Sequence, residues 1–421
     1  MIPHGRRRMW LYALTGMMLM IATTGFARMS YGVLMPYMQA GLRLSHAQAG
    51  LLGTCISLGY LLIVIAAGMF ASRWGQKRVI AAGASMVTFS LFSFSSVPAF
   101  GWAIPIAILA GVGSAMTFVP LTSYMITAFP QRRGLIMGLL LSGPGLAMFI
   151  SGSIVPIQEA LFHHFSWRDS WLFFAMFSMI AALSAVLVLK ESKSSAVSKS
   201  AVRDQASRGP GGKATYRNKE VLKIALLYFC VGVAYLIPIL FQTGYMLHAG
   251  IPSKLAGLAF AVAGFFGIMS GPILGGFSDW LGRQAVVIMA MCMAVLGTLL
   301  PVLWPGAVMF LLSAALLGST GGLIALIQAA VSEQVDANEL PVAVGFITFF
   351  FATGQIIGPG LAGWIIEAGD RFSNAYLLSS ALYVIGLGIC IRVKFVKRPS
   401  RTPAPSSTVN RHFWAYRKSR I

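Results

Sequence analysis

Arg28 is the one basic residue that falls well inside a long apolar run, and none of the eleven acidic residues, from Glu159 to Asp370, does so. An arginine near the middle of a membrane helix costs about 2.5–3.5 kcal/mol on insertion scales, so it faces an interior cavity and needs a partner. Its planar guanidinium fork matches a carboxylate, and no carboxylate inside an apolar run is available as a permanent mate. Arg28 is therefore expected to hold an anionic group of a substrate, a carboxylate first. The structural alternative is an arginine bonded to carbonyls or snorkelling outward. Tyr31 and Met35 share the helical face of Arg28, with Thr24 one turn before.

Other polar points interrupt the apolar runs. At an offset of 207 residues the counterpart of Arg28 is Tyr235, and Pro238, Gln242 and Tyr245 lie on its face. Tyr60, Tyr124, Gln328 and Gln355 are further candidates. The expected substrate-binding set is Arg28, Tyr31, Tyr124, Tyr235, Gln242, Gln328 and Gln355. Each uncharged member has an alternative as a helix–helix hydrogen bond, worth about 0.6 kcal/mol in a membrane. The cysteines Cys55, Cys230, Cys292 and Cys390 sit in four different runs with no metal-ligand spacing. Neither a nucleophile–base set nor a phosphate loop is present, so no catalytic residue, cofactor or metal is expected.

The elements that must position these residues are membrane helices. Of 421 residues 57% are hydrophobic and 10% charged, and the mean hydropathy is +0.77. Twelve apolar runs are long enough to cross a bilayer, which takes roughly 20 residues each. They cover 10–38, 45–72, 79–97, 101–129, 134–155 and 171–189, then 221–247, 255–278, 285–303, 305–331, 342–366 and 375–393. Backbone groups cannot stay unpaired in lipid, so each run must be a helix.

The net charge of +21 is a topology signal rather than a nucleic-acid patch. With a cytoplasmic N-terminus, every Lys and Arg except Arg28, Arg43, Arg168, Lys254 and Arg371 falls on the cytoplasmic side. The apolar run behind Arg6-Arg7-Arg8 has no convincing small-residue cleavage site and reads as the first span. The expected organisation is a six-helix half over 1–190, a basic cytoplasmic linker over 191–219, a second six-helix half over 220–394 and a basic tail over 395–421. The linker, rich in Ser, Gly and Pro, has the composition of a flexible segment.

The halves repeat. Ala49-Gly50-Leu51 matches Ala256-Gly257-Leu258, and Gly68, Gly75 and Gly138 match Gly275, Gly282 and Gly345, all at the offset of 207. Such repeats place a substrate site at their interface. The loop after the second run reads Gly68-Met-Phe-Ala-Ser72-Arg73-Trp-Gly75-Gln76-Lys77-Arg78, and its second copy reads Gly275-Gly-Phe-Ser-Asp279-Trp-Leu-Gly282-Arg283-Gln284. These loops resemble the G-x-x-x-D-[RK]-x-G-[RK]-[RK] element of the major facilitator superfamily, and the resemblance extends over essentially the whole chain.

The resemblance implies an all-α membrane protein of twelve transmembrane helices, two six-helix halves around a central cavity, with the first span lining that cavity. It also implies a gating role for Gly68, Ser72, Arg73, Gly75, Lys77, Arg78, Gly275, Asp279, Gly282 and Arg283. Physically, the glycines permit close helix contact and a sharp turn, while acid and bases pair with each other and with helix ends. Ser72 stands where the family has an aspartate, so the first copy lacks the carboxylate of a charge relay. The fifth and eleventh spans carry Gly143-Pro144 and Gly358-Pro359, expected to act as helix hinges or packing notches.

Residues 25–36, with their arginine and tyrosine, resemble a bacterial subgroup of this superfamily. The expected function is alternating-access transport of a small organic anion, a carboxylate first, across the inner membrane. Organic-phosphate exchangers of the superfamily use an arginine pair, and this chain has one. The rival is export of lipophilic drugs or of a larger metabolite such as a siderophore, and a rival of another class is a non-transporting receptor or scaffold. A monomer is the family's default. A proton is a candidate second cargo, although Glu159, Glu333, Asp336 and Glu367 are peripheral and His248 lies at a span's outer end.

Overall fold

The computed structural model describes residues 6–161, 166–190, 218–331, 333–335 and 339–393. Asp336, the tail and nearly all of the linker lie outside them. The first span joins α1 (Arg6–Met20), a π-helical stretch (Ile21–Met29) and α2 (Tyr31–Leu42). Then come α3 (His46–Trp74), α4 (Gln76–Ser95), α5 (Phe100–Ala128), a fifth span in two pieces, α6 (Arg133–Leu141) and α7 (Gly143–Leu161), and α8 (Trp167–Val188). The second half holds α9 (Lys219–His248), α10 (Ser253–Leu281), α11 (Arg283–Leu303), a divided tenth span, α12 (Ala307–Ser319) and α13 (Leu323–Val331), then α14 (Leu340–Gly369) and α15 (Phe372–Arg392). Twelve spans are long and apolar enough to cross a membrane, with mean hydropathies between 1.3 and 2.5. The protein is an all-α membrane protein of two six-helix halves.

Local chemistry sets the ends of these helices. Ser45 and Gln48 form a reciprocal capping box that starts α3, and Ser166 with Asp169 does the same for α8. Gly75 and Gly282 join α3 to α4 and α10 to α11 at φ +96° and +88°, where a Cβ is strained. The repeat thus reproduces a backbone conformation and not only a residue type. Gly282→Ala is expected to lower the thermal midpoint, at a cost of about 1 kcal/mol, as a denaturation series on purified protein will read.

Gly68 and Gly275 differ from expectation. They make no close helix contact: a Cβ on Gly68 would meet only a Val119 methyl at 3.9 Å, and one on Gly275 would meet nothing within 4 Å. The charged positions also divide unequally between the copies. Arg283 donates to Glu333 and to the Ala329 carbonyl, both at 2.7 Å, tying α11 to the end of α13. In the first copy the Ser72 hydroxyl turns back onto the Met69 carbonyl of its own helix at 2.8 Å, and Arg73 is exposed. A serine lacks the charge to reach a partner across the loop.

The halves meet mainly along α2 with α9, α3 with α14, and α7 with α10. The meeting is backbone against backbone. Gly32 lies on the Ile239 carbonyl, Gly50 on Pro359 and Gly152 on Gly257, with no room for a Cβ. Hydrogen bonds add to this seal: Ala47 N–H donates to Glu367 at 2.8 Å, and the Thr54 hydroxyl donates to the Ile356 carbonyl at 2.7 Å. These contacts lie towards the end of the bundle away from Arg6 and Arg392. At the end that holds Arg6, Lys190 and Lys219 the glycines Gly134, Gly138, Gly271 and Gly345 face open space. The bundle is closed at one end and parted at the other.

Candidate substrate-binding cavity

The π-helical stretch sets the register of the site. Wider turns shift residues off the α-helical face, and the Ser30 N–H bonds the Gly25 carbonyl five residues back. Arg28, in its last turn, is buried to 9% exposure and lies where the two halves meet. Its guanidinium sits 4.3 Å over the Tyr60 ring of α3, a cation–π contact. Across the interface Nη2 donates to Gln355 Oε1 of α14 at 3.4 Å, and Nε has no hydrogen-bond partner. A 3.4 Å bond to a neutral amide is weak beside the 2.7–2.9 Å expected of guanidinium and carboxylate.

Arg28 caps a cavity of about 740 Å³ that runs between the halves towards the parted end, within the range of small-molecule sites. On its far side a void of only about 10 Å³, lined by Gly53, Ser57 and Leu240 among others, ends against the sealed layer. The main cavity is largely apolar, with Met20, Met148, Phe118, Phe260, Ile268 and Leu317 on its walls, and its polar groups are few. Such a chamber binds and releases a molecule. Among the described residues no three His, Cys, Asp or Glu gather as a metal would require.

Residues 20–391 match the family model described as "Uncharacterised MFS-type transporter YbfB". The chain belongs to this family. It is therefore a transporter of the MFS class and not an enzyme. One relative of this MFS-type transporter is the hexuronate transporter of Bacillus subtilis (strain 168), 28% identical over 91% of this chain and 94% of the relative. Another is monocarboxylate transporter 12 of Mus musculus, 24% identical over 71% and 68% of the two chains. Among solved structures the nucleoside transporter NupG superposes with a TM-score of 0.75 at 13% identity, covering 92% and 98%. A bacterial homologue of the lysosomal transporter Spinster, described as inward-facing and occupied, gives 0.66 at 18% identity, covering 93% and 98%. These two show the fold.

Within this MFS-type transporter the cavity brings together Arg28, Tyr235, Gln242, Gln328 and Gln355. Gln242 also donates its amide to the Phe310 carbonyl at 3.1 Å, which fixes α9 to α12. Two expected members lie elsewhere. The Tyr31 hydroxyl donates to the Ala49 carbonyl of α3 at 2.8 Å and the ring is fully buried in the packing of the halves. The π-helical turns break the α-helical spacing that would have set Tyr31 beside Arg28. Tyr124 stacks on Tyr12 at 6.2 Å and donates to the Lys190 carbonyl at 2.9 Å, holding α8 to α5 behind the cavity wall.

The two expected hinges also part company. The fifth span is broken at Ser142, with Gly143 fitted against Met20 and Pro144 on the cavity wall. Gly358-Pro359 leaves α14 unbroken. There Gly358 packs on the Val233 carbonyl and Pro359 on Gly50, a notch rather than a bend. The tenth span also breaks, at Thr320–Gly322, and the run Gly318-Ser-Thr-Gly-Gly322 is the sequence signal for it. Tyr228 and Tyr383 line the cavity too and carried no signal. Each is one aromatic in an apolar run.

Proposed function

We propose that this transporter moves a small organic carboxylate across the bacterial inner membrane by alternating access, with Arg28 binding the carboxylate. The observation that carries this reading is Arg28 itself: a buried guanidinium at the cavity apex, held by one ring and one long bond to a neutral amide. A carboxylate makes the stronger, charge-assisted pair and displaces Gln355. Because Gln355 belongs to the second half, that exchange couples occupancy to the contact between halves. The names of the hexuronate and monocarboxylate relatives support a carboxylate cargo.

The distribution of basic residues supports a cytoplasmic position for the parted end and for both termini, and on that reading the state described here is open inward. The halves over 1–190 and 220–394, joined by the linker 191–219, rock about the site. The loops at Gly75 and Gly282 and the break at Gly143 serve the motion, and a monomer suffices. Among the described residues the cavity walls carry no acid to bind a proton. Coupling then runs by uniport, by exchange, or through a proton on the substrate's own carboxyl.

A thermal-shift panel on purified protein tests the reading. Small carboxylates, phosphate esters, amino acids, sugars and lipophilic cations are compared on wild type and Arg28→Ala. A ligand at a hundredfold excess over its Kd stabilises the native state by about 2.7 kcal/mol. The expected result is a shift with carboxylates that disappears in Arg28→Ala. Stabilisation by lipophilic cations alone, unchanged in the variant, rejects the reading in favour of drug export.

A further inference from the structure

We propose that the cargo is an amphipathic acid with one carboxylate and an apolar body, an alkyl or aryl acid rather than a dicarboxylate or a polyhydroxylated one. The inference rests on the carboxylate reading and narrows it. It starts from what the cavity walls can offer a cargo once Arg28 is engaged. Among the described residues that line the cavity, Arg28 is the only charged one. A second carboxylate on the cargo would lie in this chamber without a partner, and a charge left unpaired away from water is heavily penalised.

Polar side chains on the walls are turned onto the protein itself. The hydroxyls of Ser142, Ser270 and Thr320 donate to the carbonyls of Leu139, Gly267 and Leu317, three residues back, at 2.8, 2.7 and 2.6 Å. A hydroxyl whose proton is spent in this way has no donor left for a cargo. Gln242 donates to the Phe310 carbonyl at 3.1 Å, and the Gln328 side chain bonds the Tyr228 hydroxyl. Polar capacity gathers instead around the guanidinium: Tyr60 lies beneath it, Tyr235 of the other half is within electrostatic reach, and Gln355 accepts from it.

The chamber is thus polar at one point and apolar along its walls, where Phe118, Met148, Phe260, Ile268 and Leu317 stand. Alternating access requires those walls to close over the bound molecule, so the body of the cargo exchanges water for these side chains. Each methylene that makes the exchange strengthens binding. Each hydroxyl that makes it without a partner weakens binding. Arg28 selects the head of the cargo, and the walls select its body.

Equilibrium binding to the purified full chain tests this with six acids. Butyrate, hexanoate and octanoate form a series, adipate is the dicarboxylate of hexanoate's length, and cyclohexanecarboxylate and D-glucuronate are ring acids of similar size. From butyrate to octanoate wild type is expected to bind about threefold more tightly for each added methylene. Hexanoate is expected to bind at least about tenfold more tightly than adipate, and cyclohexanecarboxylate at least about tenfold more tightly than D-glucuronate. All of this binding is expected to be lost in Arg28→Ala, which also separates it from uptake of the longer acids by detergent. A flat series, or equal or tighter binding of adipate or D-glucuronate than of its apolar counterpart, overturns the inference while leaving a carboxylate cargo in place. Binding that survives undiminished in Arg28→Ala overturns the carboxylate reading, and so does the failure of all six acids to bind; the inference falls with it.

Discussion

Arg28→Ala is expected to lower carboxylate transport in proteoliposomes by about a hundredfold or more, and Arg28→Lys to restore only part of it. A charge pair desolvated in a binding site is worth about 2–5 kcal/mol on truncation, and each 1.4 kcal/mol is about a factor of ten. Lysine keeps the charge but not the planar fork, and it loses the flat contact over Tyr60. Folding is the control. Arg28 is a buried charge whose Nε has no partner and whose one side-chain hydrogen bond is 3.4 Å long, so removing it is not expected to lower the thermal midpoint. Transport at the wild-type rate in Arg28→Ala makes the residue structural, and a collapse in folding with it does the same.

A second large effect is expected at the sealed end. In Gly32→Val the added carbons run into the Ile239 carbonyl and the Leu240 backbone, neither of which can turn aside. Both belong to α9 of the other half, so the clash acts on the closed seal and spares the packing within each half. Overpacking of this kind costs about 1–3 kcal/mol, enough to shift the balance of the two states by about five- to a hundredfold. Ser57 lines the small void beneath the seal and makes a reporter. With Cys55, Cys230, Cys292 and Cys390 replaced, Ser57→Cys is expected to react with an impermeant thiol reagent from outside far faster in Gly32→Val than in its absence, while net transport falls. An unreactive Ser57→Cys with transport intact removes Gly32 from the seal.

The apolar runs determined the twelve spans, because a bilayer leaves a long uncharged segment no structure but a helix. The offset of 207 found the paired turns at Gly75 and Gly282, whose positive φ explains why glycine recurs there. Arg28 was legible for a similar reason, since one cation in an apolar span has few places to go. Tyr31, Tyr124 and Tyr228 were not separable in the same way. All three are tyrosines in apolar helices, and the first two bond backbone carbonyls while the third bonds the Gln328 side chain.

Periodicity ranks the faces of a helix when one side meets water and the other meets protein. Here lipid and protein are both apolar, so the pattern along a span does not say which face turns inward. That was decided by packing between spans: the π-helical turns before Arg28, the glycine contacts that hold the halves together at one end, and the meeting of Arg28 with Gln355, 327 residues further along the chain. The sequence determined the helices and the single charge. Only the tertiary structure decided what that charge faces, because its neighbours come from the other half of the molecule.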